Sequence, residues 1–307
     1  MSRFIVIRLI QCVVAFFGIL IITFFLLRAS GDPAMLLASP NFSAEQVQAL
    51  RVELGLDKSW GEQLGIYLNN IVHGDLGESL LQKKPVITKI GDALPNTLKL
   101  MVPSFAIAMI LAFILGVLAA TYRDSWWDNI VKFLAVLGQA LPGFWVAIMA
   151  VLILSVQLEW LPVAGMATPA HYVLPVSTIV FFTLPGMMRL VRSTMLDVLD
   201  SEYIKLARIK GLPERIVIWK HALRNALISP LTIIGMLLPG VVMGAVITEQ
   251  IFNWPGMGRL LVDATFSRDF PVVQAVTIIT AILVLGINLL IDISYAWVDP
   301  QIRFQRT

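Results

Sequence analysis

The chain contains six stretches without Asp, Glu, Lys or Arg in which most residues are apolar. A helix needs about 20 residues to cross the roughly 30 Å hydrocarbon core of a bilayer, and a backbone in lipid must satisfy its own hydrogen bonds. The pattern therefore predicts an all-α, polytopic membrane protein with six transmembrane helices. The stretches, of 16 to 24 residues each, are Ile10–Leu27, Leu100–Ala120, Phe133–Val156, Val173–Met188, Leu227–Thr248 and Val272–Ile291. The fourth is the shortest, so its helix must extend into flanking residues.

The composition of the chain excludes an ordinary soluble fold. Apolar residues make up 58% of the 307 residues and charged residues 14%, against about 45–50% and about 25% in soluble domains. The mean hydropathy is +0.82, and one soluble core of this size cannot bury so much apolar surface. The net charge of +3 is too small to indicate a nucleic-acid partner. The single cysteine, Cys12, excludes an intrachain disulfide.

The distribution of Lys and Arg predicts the orientation, because these residues concentrate in loops on the cytoplasmic side of a membrane. If the N-terminus is inside, most of them fall in inside segments, once the stretch 28–96 is set aside because long loops follow the rule poorly. Both termini are therefore predicted to be cytoplasmic. The first apolar stretch is followed by no convincing signal-peptide cleavage site, so we interpret it as a retained helix.

The polar segments predict an order of domains along the chain. Residues 1–27 hold the N-terminus and the first transmembrane helix, and residues 28–96 form an external, periplasmic subdomain between helices 1 and 2. Ser43 and Gln46 have the spacing of a capping box, which indicates that this subdomain is helical. Residues 97–291 form the core domain with helices 2–6, and residues 292–307 form the cytoplasmic C-terminus.

Residues 189–226 are the long polar segment predicted on the cytoplasmic side. Ser201–Gly211 has the pattern of a short amphipathic helix, with Gly211 just beyond its end and Pro213 preventing continuation. A second helical piece, Glu214–Arg224, follows. The segment presents Ile204, Leu206 and Ile209 to the cytoplasm, where they can dock into a groove of another protein. Alternatively, the basic segment lies on anionic lipid headgroups.

Sequence motifs for catalysis and metal binding are lacking. No Gly-Lys dipeptide occurs, which excludes a P-loop. The three histidines, His73, His171 and His221, are far apart in sequence and do not have the spacing of paired metal ligands. We therefore expect no catalytic, cofactor-binding or metal-binding residues in this chain.

Three polar residues lie near the ends of the predicted spans. Glu249 ends the fifth span, and Asn288 and Asp292 lie one helical turn apart near the end of the sixth. Polar residues within membrane segments commonly mark substrate pathways. Each of these residues either is solvated or hydrogen-bonded at interfacial depth, or lines a polar pathway or ties helices together.

The polar segment 189–226 has a sequence that resembles the coupling segment, or EAA loop, of ABC-importer permeases. The resemblance is greatest to the B-type subunits of the dipeptide, oligopeptide and nickel family, and it extends over almost the whole chain. The motifs that carry it are Gly31-Asp32-Pro33, Gly74-Asp75-Leu76-Gly77, Leu161-Pro162, Arg189-x-x-Arg192, Tyr203-x-x-x-Ala207-Arg208-x-Lys210-Gly211-Leu212, His221-Ala222-Leu223-Arg224-Asn225-Ala226, Glu249-x-x-Phe252-x-Trp254-Pro255-Gly256-x-Gly258-Arg259, Arg268-Asp269-x-Pro271, Asn288-Leu289-x-x-Asp292 and Asp299-Pro300-x-Ile302-Arg303.

The resemblance implies roles for particular residues of this chain. Those that contact an ATPase subunit would be Tyr203, Ala207, Arg208, Lys210, Gly211 and Leu212. Those on the outer face that contact a substrate-binding protein would be Trp254, Pro255, Gly256 and Arg259. Glu249, Asn288 and Asp292 remain candidates for helix packing or for a polar pathway.

The resemblance also implies partners and a location. The chain would be a multi-pass subunit of a bacterial inner membrane, without enzymatic activity of its own. It would work with a C-type permease subunit, with two ABC ATPase subunits that bind ATP and Mg, and with an extracytoplasmic substrate-binding protein. Its substrate would be a dipeptide or oligopeptide, or alternatively nickel, a metallophore complex or glutathione. A channel or secondary transporter that works without ATP is the more distant alternative, but it predicts an intramembrane charge, and none lies in mid-span.

Overall fold

A computed structural model of the protein describes residues 2–32, 34–35, 42–226 and 228–298. Nearly all secondary structure in this part of the chain is helical, which confirms the all-α class. The exception among the described residues is an isolated antiparallel bridge between Glu78 and Pro85. Leu227, at the start of the fifth apolar stretch, and the motif Asp299–Arg303 lie outside the described residues.

The first part of the chain is built from helices. In order they are α1 (Ser2–Ala29), α2 (Ala44–Glu53), α3 (Trp60–Val72), α4 (Val86–Thr121), α5 (Trp126–Ala140) and α6 (Gly143–Ala150), which continues as the π-helical segment Val151–Gln157. The predicted capping box of α2 is present, because the Ser43 hydroxyl accepts from the Gln46 backbone and the Gln46 side chain accepts from the Ser43 backbone.

The second part of the chain is also built from helices. They are α7 (Ala170–Leu199), α8 (Glu202–Ile209), α9 (Glu214–Ile216), the π-helical segment Val217–Ala222, α10 (Leu223–Ala226), α11 (Ile228–Ile251), α12 (Met257–Phe266) and α13 (Phe270–Val298). The second helical piece predicted for the polar segment, Glu214–Arg224, thus forms with a π-helical middle.

Several of these helices are long and apolar enough to cross a membrane. In the described part of the chain they are α1, α4, α7 and α13, and the bent pair of α5 and α6 raises the count from four to five if it forms one span. The finding supports a multi-pass membrane protein. Helix α11 contains nearly all of the fifth apolar stretch, and many of its side chains lie outside the described residues.

The third apolar stretch, Phe133–Val156, was expected to form one helix, and this expectation is wrong. Helix α5 ends at Ala140. The helical segment that follows Pro142, Gly143–Gln157, makes an angle of 99° with α5. Leu141 has the extended angles φ −91° and ψ 129°, because a proline disfavours the helical conformation of the residue before it. The bend is therefore fixed by the local sequence.

Helix α7 contains the fourth apolar stretch, Val173–Met188, and is longer than it. It runs for 30 residues, so it extends into flanking residues at both ends, as the short stretch required. Arg189 and Arg192 consequently lie on α7. The polar segment 189–226 therefore begins as the last turns of a long helix, and this continuity joins the segment directly to a candidate span.

The chain divides into two compact units. The first comprises Met1–Pro95 and Gly256–Leu290, and the second comprises Asn96–Pro255 and Ile291–Thr307. In the first unit, apolar residues at the start of α4 pack against α12 and the start of α13. The buried members of this core are Val86, Ile90, Ala93, Met257, Ala264, Val272, Val273, Ala275 and Val276.

A buried carboxylate fastens two loops of the first unit to each other. The side chain of Asp269 accepts hydrogen bonds from the Ser79 hydroxyl and, at 3.0 Å, from the Leu80 backbone N–H. Lys89 Nζ lies 3.9 Å from the same carboxylate. Asp269 is almost fully buried, and these contacts supply the donors that a buried charge requires. The loop before α4 and the loop before α13 are thereby held together.

Helix α7 is the centre of the second unit, and glycines on its neighbours allow close approach. A Cβ on Gly138 of α5 would lie 2.4 Å from Pro185 Cγ and 3.0 Å from the carbonyl oxygen of Phe181. A Cβ on Gly116 of α4 would lie 2.8 Å from Val191 Cβ. These distances are shorter than a carbon contact allows, so a side chain at either position would push the helices apart.

We expect Gly138→Ala to lower the free energy of unfolding by about 1–3 kcal/mol. Neither the Pro185 ring nor a backbone carbonyl can move aside inside a packed helix pair, so the overlap must shift α5 relative to α7. Thermal unfolding of the purified protein in detergent measures the effect. Gly186→Ala is the matched control, because no heavy atom of the described chain lies within 4 Å of a Cβ there. Equal destabilisation by the two substitutions would contradict the packing assignment.

Candidate coupling site

The polar segment after α7 is organised around a sharp turn at Gly211. Helix α8 ends at Ile209, with Lys210 as its C-cap and Gly211 at a φ of 76°. The N–H of Gly211 donates to the Arg208 carbonyl at 2.9 Å, and the N–H of Leu212 donates to the Ala207 carbonyl at 3.4 Å. These two bonds form a Schellman motif, which ends a helix and reverses the chain. The predicted role of Gly211 at the end of the helix is confirmed.

An ion pair closes the same turn from the side. The Arg208 guanidinium binds the Glu214 carboxylate through Nη2 at 2.8 Å and through Nε at 3.2 Å, which is a bidentate geometry. The guanidinium holds the pKa of Glu214 below its ordinary value, so the carboxylate is ionised at neutral pH. Since Arg208 precedes Gly211 and Glu214 opens α9, the pair fixes the direction in which the chain leaves the turn.

The two faces of α8 differ in exposure. Leu206 is 55% exposed and Ile209 is 80% exposed, whereas Ile204 is fully buried. The expectation that all three residues face outwards is therefore wrong for Ile204, whose side chain packs into the protein core. Tyr203 lies on the exposed side. What α8 offers to another molecule is thus a small apolar ridge of Tyr203, Leu206 and Ile209.

The buried face of α8 is anchored in a continuous apolar core. Ala207 packs partly buried beside Ile204. The other buried members of this core come from the ends of α4 and α7 and from the π-helical segment and α10. They are Val117, Ala120, Val191, Met195, Leu199, Val217, Ile218, Ala222 and Ala226. Helix α8 is therefore packed directly against α7 and against the segment that leads into α11.

A buried ion pair stands near this region, where α5 faces α7. The carboxylate of Asp128 is fully buried and accepts from Arg192 Nε at 2.6 Å and from Nη2 at 2.8 Å. Lys132 Nζ and the Asp124 backbone N–H also bind it, at 2.8 Å and 3.0 Å. Neither this pair nor the pair of Arg208 with Glu214 was predicted from the sequence. The i, i+4 spacing of Asp128 and Lys132 was the one available signal.

Glu249, near the end of α11, is fully buried. The Thr97 hydroxyl of α4 donates to Glu249 Oε1 at 2.6 Å, so this carboxylate joins the two helices within the second unit. Asn288 and Asp292 are half-buried on α13, one turn apart. No group of His, Cys, Asp and Glu among the described residues is arranged to hold a metal ion.

Trp254 was predicted to contact another protein, and its position contradicts this prediction. The side chain is fully buried. Its indole Nε1 donates to the Asn96 carbonyl at 2.9 Å, and its ring meets the Tyr172 ring edge-on at 4.7 Å. An aromatic ring so enclosed packs and orients the segment after α11 and is not available to a docking protein.

The other residues predicted for the same contact differ among themselves. Gly256 is buried at the start of α12, which leaves it unavailable as well. Pro255 is exposed. Arg259 is half-buried, with its Nε 3.5 Å from Asp263 Oδ2. Only Pro255 and Arg259 of the four predicted residues thus present surface to a partner.

Comparison with known protein families matches both parts of the chain. Residues 112–304 match the family described as binding-protein-dependent transport system inner membrane component. Residues 1–101 match the N-terminal part of such membrane components. The chain belongs to this family. The resemblance inferred from the sequence motifs is thereby confirmed.

Relatives of this membrane component are similar over their full length. A putative peptide transport system permease protein of Brucella abortus (strain 2308) is 43% identical, over 99% of this chain and 100% of its own. The oligopeptide transport system permease protein AppB of Bacillus subtilis (strain 168) is 39% identical over the same shares. The glutathione transport system permease protein GsiC of Escherichia coli O6:H1 is 36% identical, again over 99% and 100%.

A solved structure resembles the membrane component in fold. The crystal structure of an amino acid ABC transporter with histidines aligns with a TM-score of 0.56 over 69% of this chain and 94% of its own. The sequence identity is 14%, so the likeness concerns the fold alone.

Proposed function

We propose that this chain is the transmembrane permease subunit of an ATP-driven importer of short peptides. The observation that carries the proposal is the full-length similarity, at 39–43% identity, to permeases named for peptide or oligopeptide transport. An ATP-independent channel or secondary transporter is disfavoured, because the family consists of membrane components of binding-protein-dependent systems. The chain has no P-loop, so ATP and Mg would be bound by two partner ATPase subunits.

Coupling would occur through the exposed ridge of Tyr203, Leu206 and Ile209. An apolar ridge on a short helix suits a groove of a cytoplasmic ATPase, and the closed turn of Arg208, Gly211 and Glu214 would hold it in one orientation. When ATP binding closes the two ATPase subunits, α8 would move as a rigid piece. Its anchorage beside α7 would then tilt the spans and switch the pathway from inward-open to outward-open.

The remaining features of the proposal concern topology and partners. The chain would have six spans with both termini in the cytoplasm. This topology would put α8 on the ATPase side and residues 28–96 on the outer side of a bacterial inner membrane. A second permease subunit of the C type would complete the pathway. Pro255 and Arg259 are the candidate contacts for the extracytoplasmic substrate-binding protein.

Glutathione is the second candidate substrate, because the permease GsiC is 36% identical over the full length. Glutathione is itself a tripeptide, so the two candidates share backbone amides and carboxylates. Nickel or a metallophore complex is the chemically different alternative. Uptake by the reconstituted importer with its binding protein, using labelled dipeptides, oligopeptides, glutathione and nickel in turn, distinguishes these substrates.

Disulfide crosslinking tests the coupling site. The only native cysteine is Cys12, so Cys12→Ser provides a cysteine-free background. In it, Ile209→Cys is expected to crosslink to a cysteine in the groove of the co-expressed ATPase and to do so in an ATP-dependent manner. Ile204→Cys is the matched control, because Ile204 is buried. Uptake without ATP, or equal crosslinking of the two variants, would overturn the proposal.

A further inference from the structure

An apolar groove of about 350 Å³ lies within the first unit, between α1, α3 and α13. Its lining consists entirely of aliphatic and aromatic side chains and one glycine, among them Phe16 and Leu20 of α1, Leu68 and Ile71 of α3, and Ile278 and Ile282 of α13. Its size falls within the range of about 300–1,000 Å³ that is common for ligand pockets. An apolar cavity without polar partners does not hold ordered water, so a ligand for it must be hydrocarbon.

The groove is positioned to open into lipid. Helices α1 and α13, which form two of its walls, are both candidate membrane spans. Phe17 and Ile282, two of its lining residues, are among the exposed large apolar side chains. A cavity between two spans is surrounded by acyl chains, and these are the most abundant apolar molecules available to fill it.

The face of α1 that lines the groove leads to the guanidinium group of Arg28 at the end of the helix. Phe16, Leu20, Phe24 and Arg28 are spaced four residues apart, so they follow one face of the helix. The Arg28 guanidinium carbon lies 5.4 Å from the centre of the Phe24 ring, and the Tyr67 ring of α3 lies 5.6 Å from the same ring. Arg28 and Tyr67 therefore both lie beside the Phe24 ring. At the helical rise of 1.5 Å per residue, Phe24 is about 6 Å and Arg28 about 12 Å along α1 from Leu20.

Arg28 and Tyr67 each carry a buried polar atom that makes no hydrogen bond within the described part of the chain. In the described part of the chain, Arg28 Nε and the Tyr67 hydroxyl are buried and have no hydrogen-bond partner. The neighbouring carboxylate, Asp32, is engaged by Arg51, whose Nε donates to it at 2.8 Å. Burial raises the pKa of Tyr67 to about 12, so the phenol keeps its proton and can donate. Two buried donors, one of them cationic, are suited to an anionic oxygen.

We propose that one phospholipid binds to the first unit, with an acyl chain in the groove of α1, α3 and α13 and its phosphate at Arg28 and Tyr67. The arrangement matches the lipid at both ends, since the apolar groove and the unsatisfied donors lie on one face of α1. The bound lipid would fill the space between a membrane-spanning helix and α3. It would thereby fasten the segment between the first two spans to the membrane part of the first unit.

Lipid binding to the purified transport complex tests this proposal. After mild delipidation, native mass spectrometry is expected to detect one retained phospholipid per complex. Titration with dioleoyl phosphatidylglycerol is expected to raise the melting temperature, and dioleoylglycerol, which lacks the phosphate, is expected to bind about tenfold more weakly. Retention of no phospholipid, or equal binding of the two lipids, would overturn the proposal.

Substitutions separate the two ends of the site. Arg28→Met is expected to remove the preference for the phosphate-bearing lipid, and Ile71→Trp, which fills the groove, is expected to remove binding of both lipids. Tyr67→Phe deletes one hydroxyl only and should weaken phosphatidylglycerol binding without changing the melting temperature of the lipid-free complex. Ile22→Trp is the control, because Ile22 is exposed on α1 and outside the groove.

A photocrosslinker at position 71 identifies the occupant directly. Crosslinking to phospholipid is expected. Exclusive crosslinking to a second protein subunit would show that a partner chain fills the groove, and would contradict the proposal, as would unchanged lipid binding by both Arg28→Met and Ile71→Trp.

Discussion

We expect Asp128→Ala to lower the free energy of unfolding by about 3–5 kcal/mol, which is the usual result of breaking a buried ion pair. The carboxylate is fully buried, and the Arg192 side chain that it binds through two nitrogens is only 19% exposed. Removal of the carboxylate leaves a cation in the contact between α5 and α7 without its counterion. Thermal unfolding in detergent should show a melting temperature lower by on the order of 10 °C.

Two further variants separate the buried pair from ordinary surface charge. Lys132 binds the same carboxylate, but its side chain is 43% exposed, so Lys132→Met should change stability by only about 0–1 kcal/mol. The double variant Asp128→Ala with Arg192→Met removes both charges and should recover much of the loss. If Asp128→Ala is no more harmful than Lys132→Met, the pair does not contribute as the geometry indicates.

The sequence was informative about helices because their main determinant is local. A charge-free apolar stretch must be helical in lipid, and the described helices follow these stretches. The bend of the third stretch was missed because apolar composition says where a chain prefers lipid but not in which direction it runs. The cause lies in Pro142, whose effect on Leu141 is local and could have been applied to the pattern.

The turn of the candidate coupling site was predictable for the same reason. Gly211 and Pro213 act on the backbone beside them, and the structure has a helix end and a reversal at these residues. The division of α8 into a buried and an exposed face was not predictable in full. Ile204, Leu206 and Ile209 are all apolar, and only the core beneath the helix decides which of them is covered.

Contacts between distant residues were beyond the reach of one sequence. Trp254 was expected at an outer-face contact because the family resemblance implied it, whereas its indole binds the Asn96 carbonyl, 158 residues away. Asp128 and Arg192 are 64 residues apart, and no pattern in one chain relates such positions. Long-range pairing of this kind is a product of the tertiary fold.

We expect Gly211→Val to reduce ATP-driven uptake by about fivefold or more while the protein still reaches the membrane. Gly211 has a φ of 76°, which for a β-branched residue costs about 1–3 kcal/mol, and 1 kcal/mol corresponds to about a fivefold change in an equilibrium constant. No heavy atom in the described part of the chain lies within 4 Å of a Cβ at this position. The loss of uptake is therefore expected to come from the backbone alone, because valine disrupts the Schellman turn that holds α8 in its orientation.

Asparagine at position 211 distinguishes backbone strain from the mere presence of a side chain as the cause of the lost uptake. Asn adopts the left-handed conformation much more readily than valine, so Gly211→Asn should retain most of the uptake and the transport-coupled ATPase activity. The amount of each variant in the membrane and its co-purification with the ATPase are measured alongside, because a loss of protein would also lower uptake. If the valine variant transports normally at normal abundance, α8 and its turn are not the coupling element. If the two variants fail equally, the side chain and not the backbone is responsible, and Gly211 faces a partner so closely that no substituent fits.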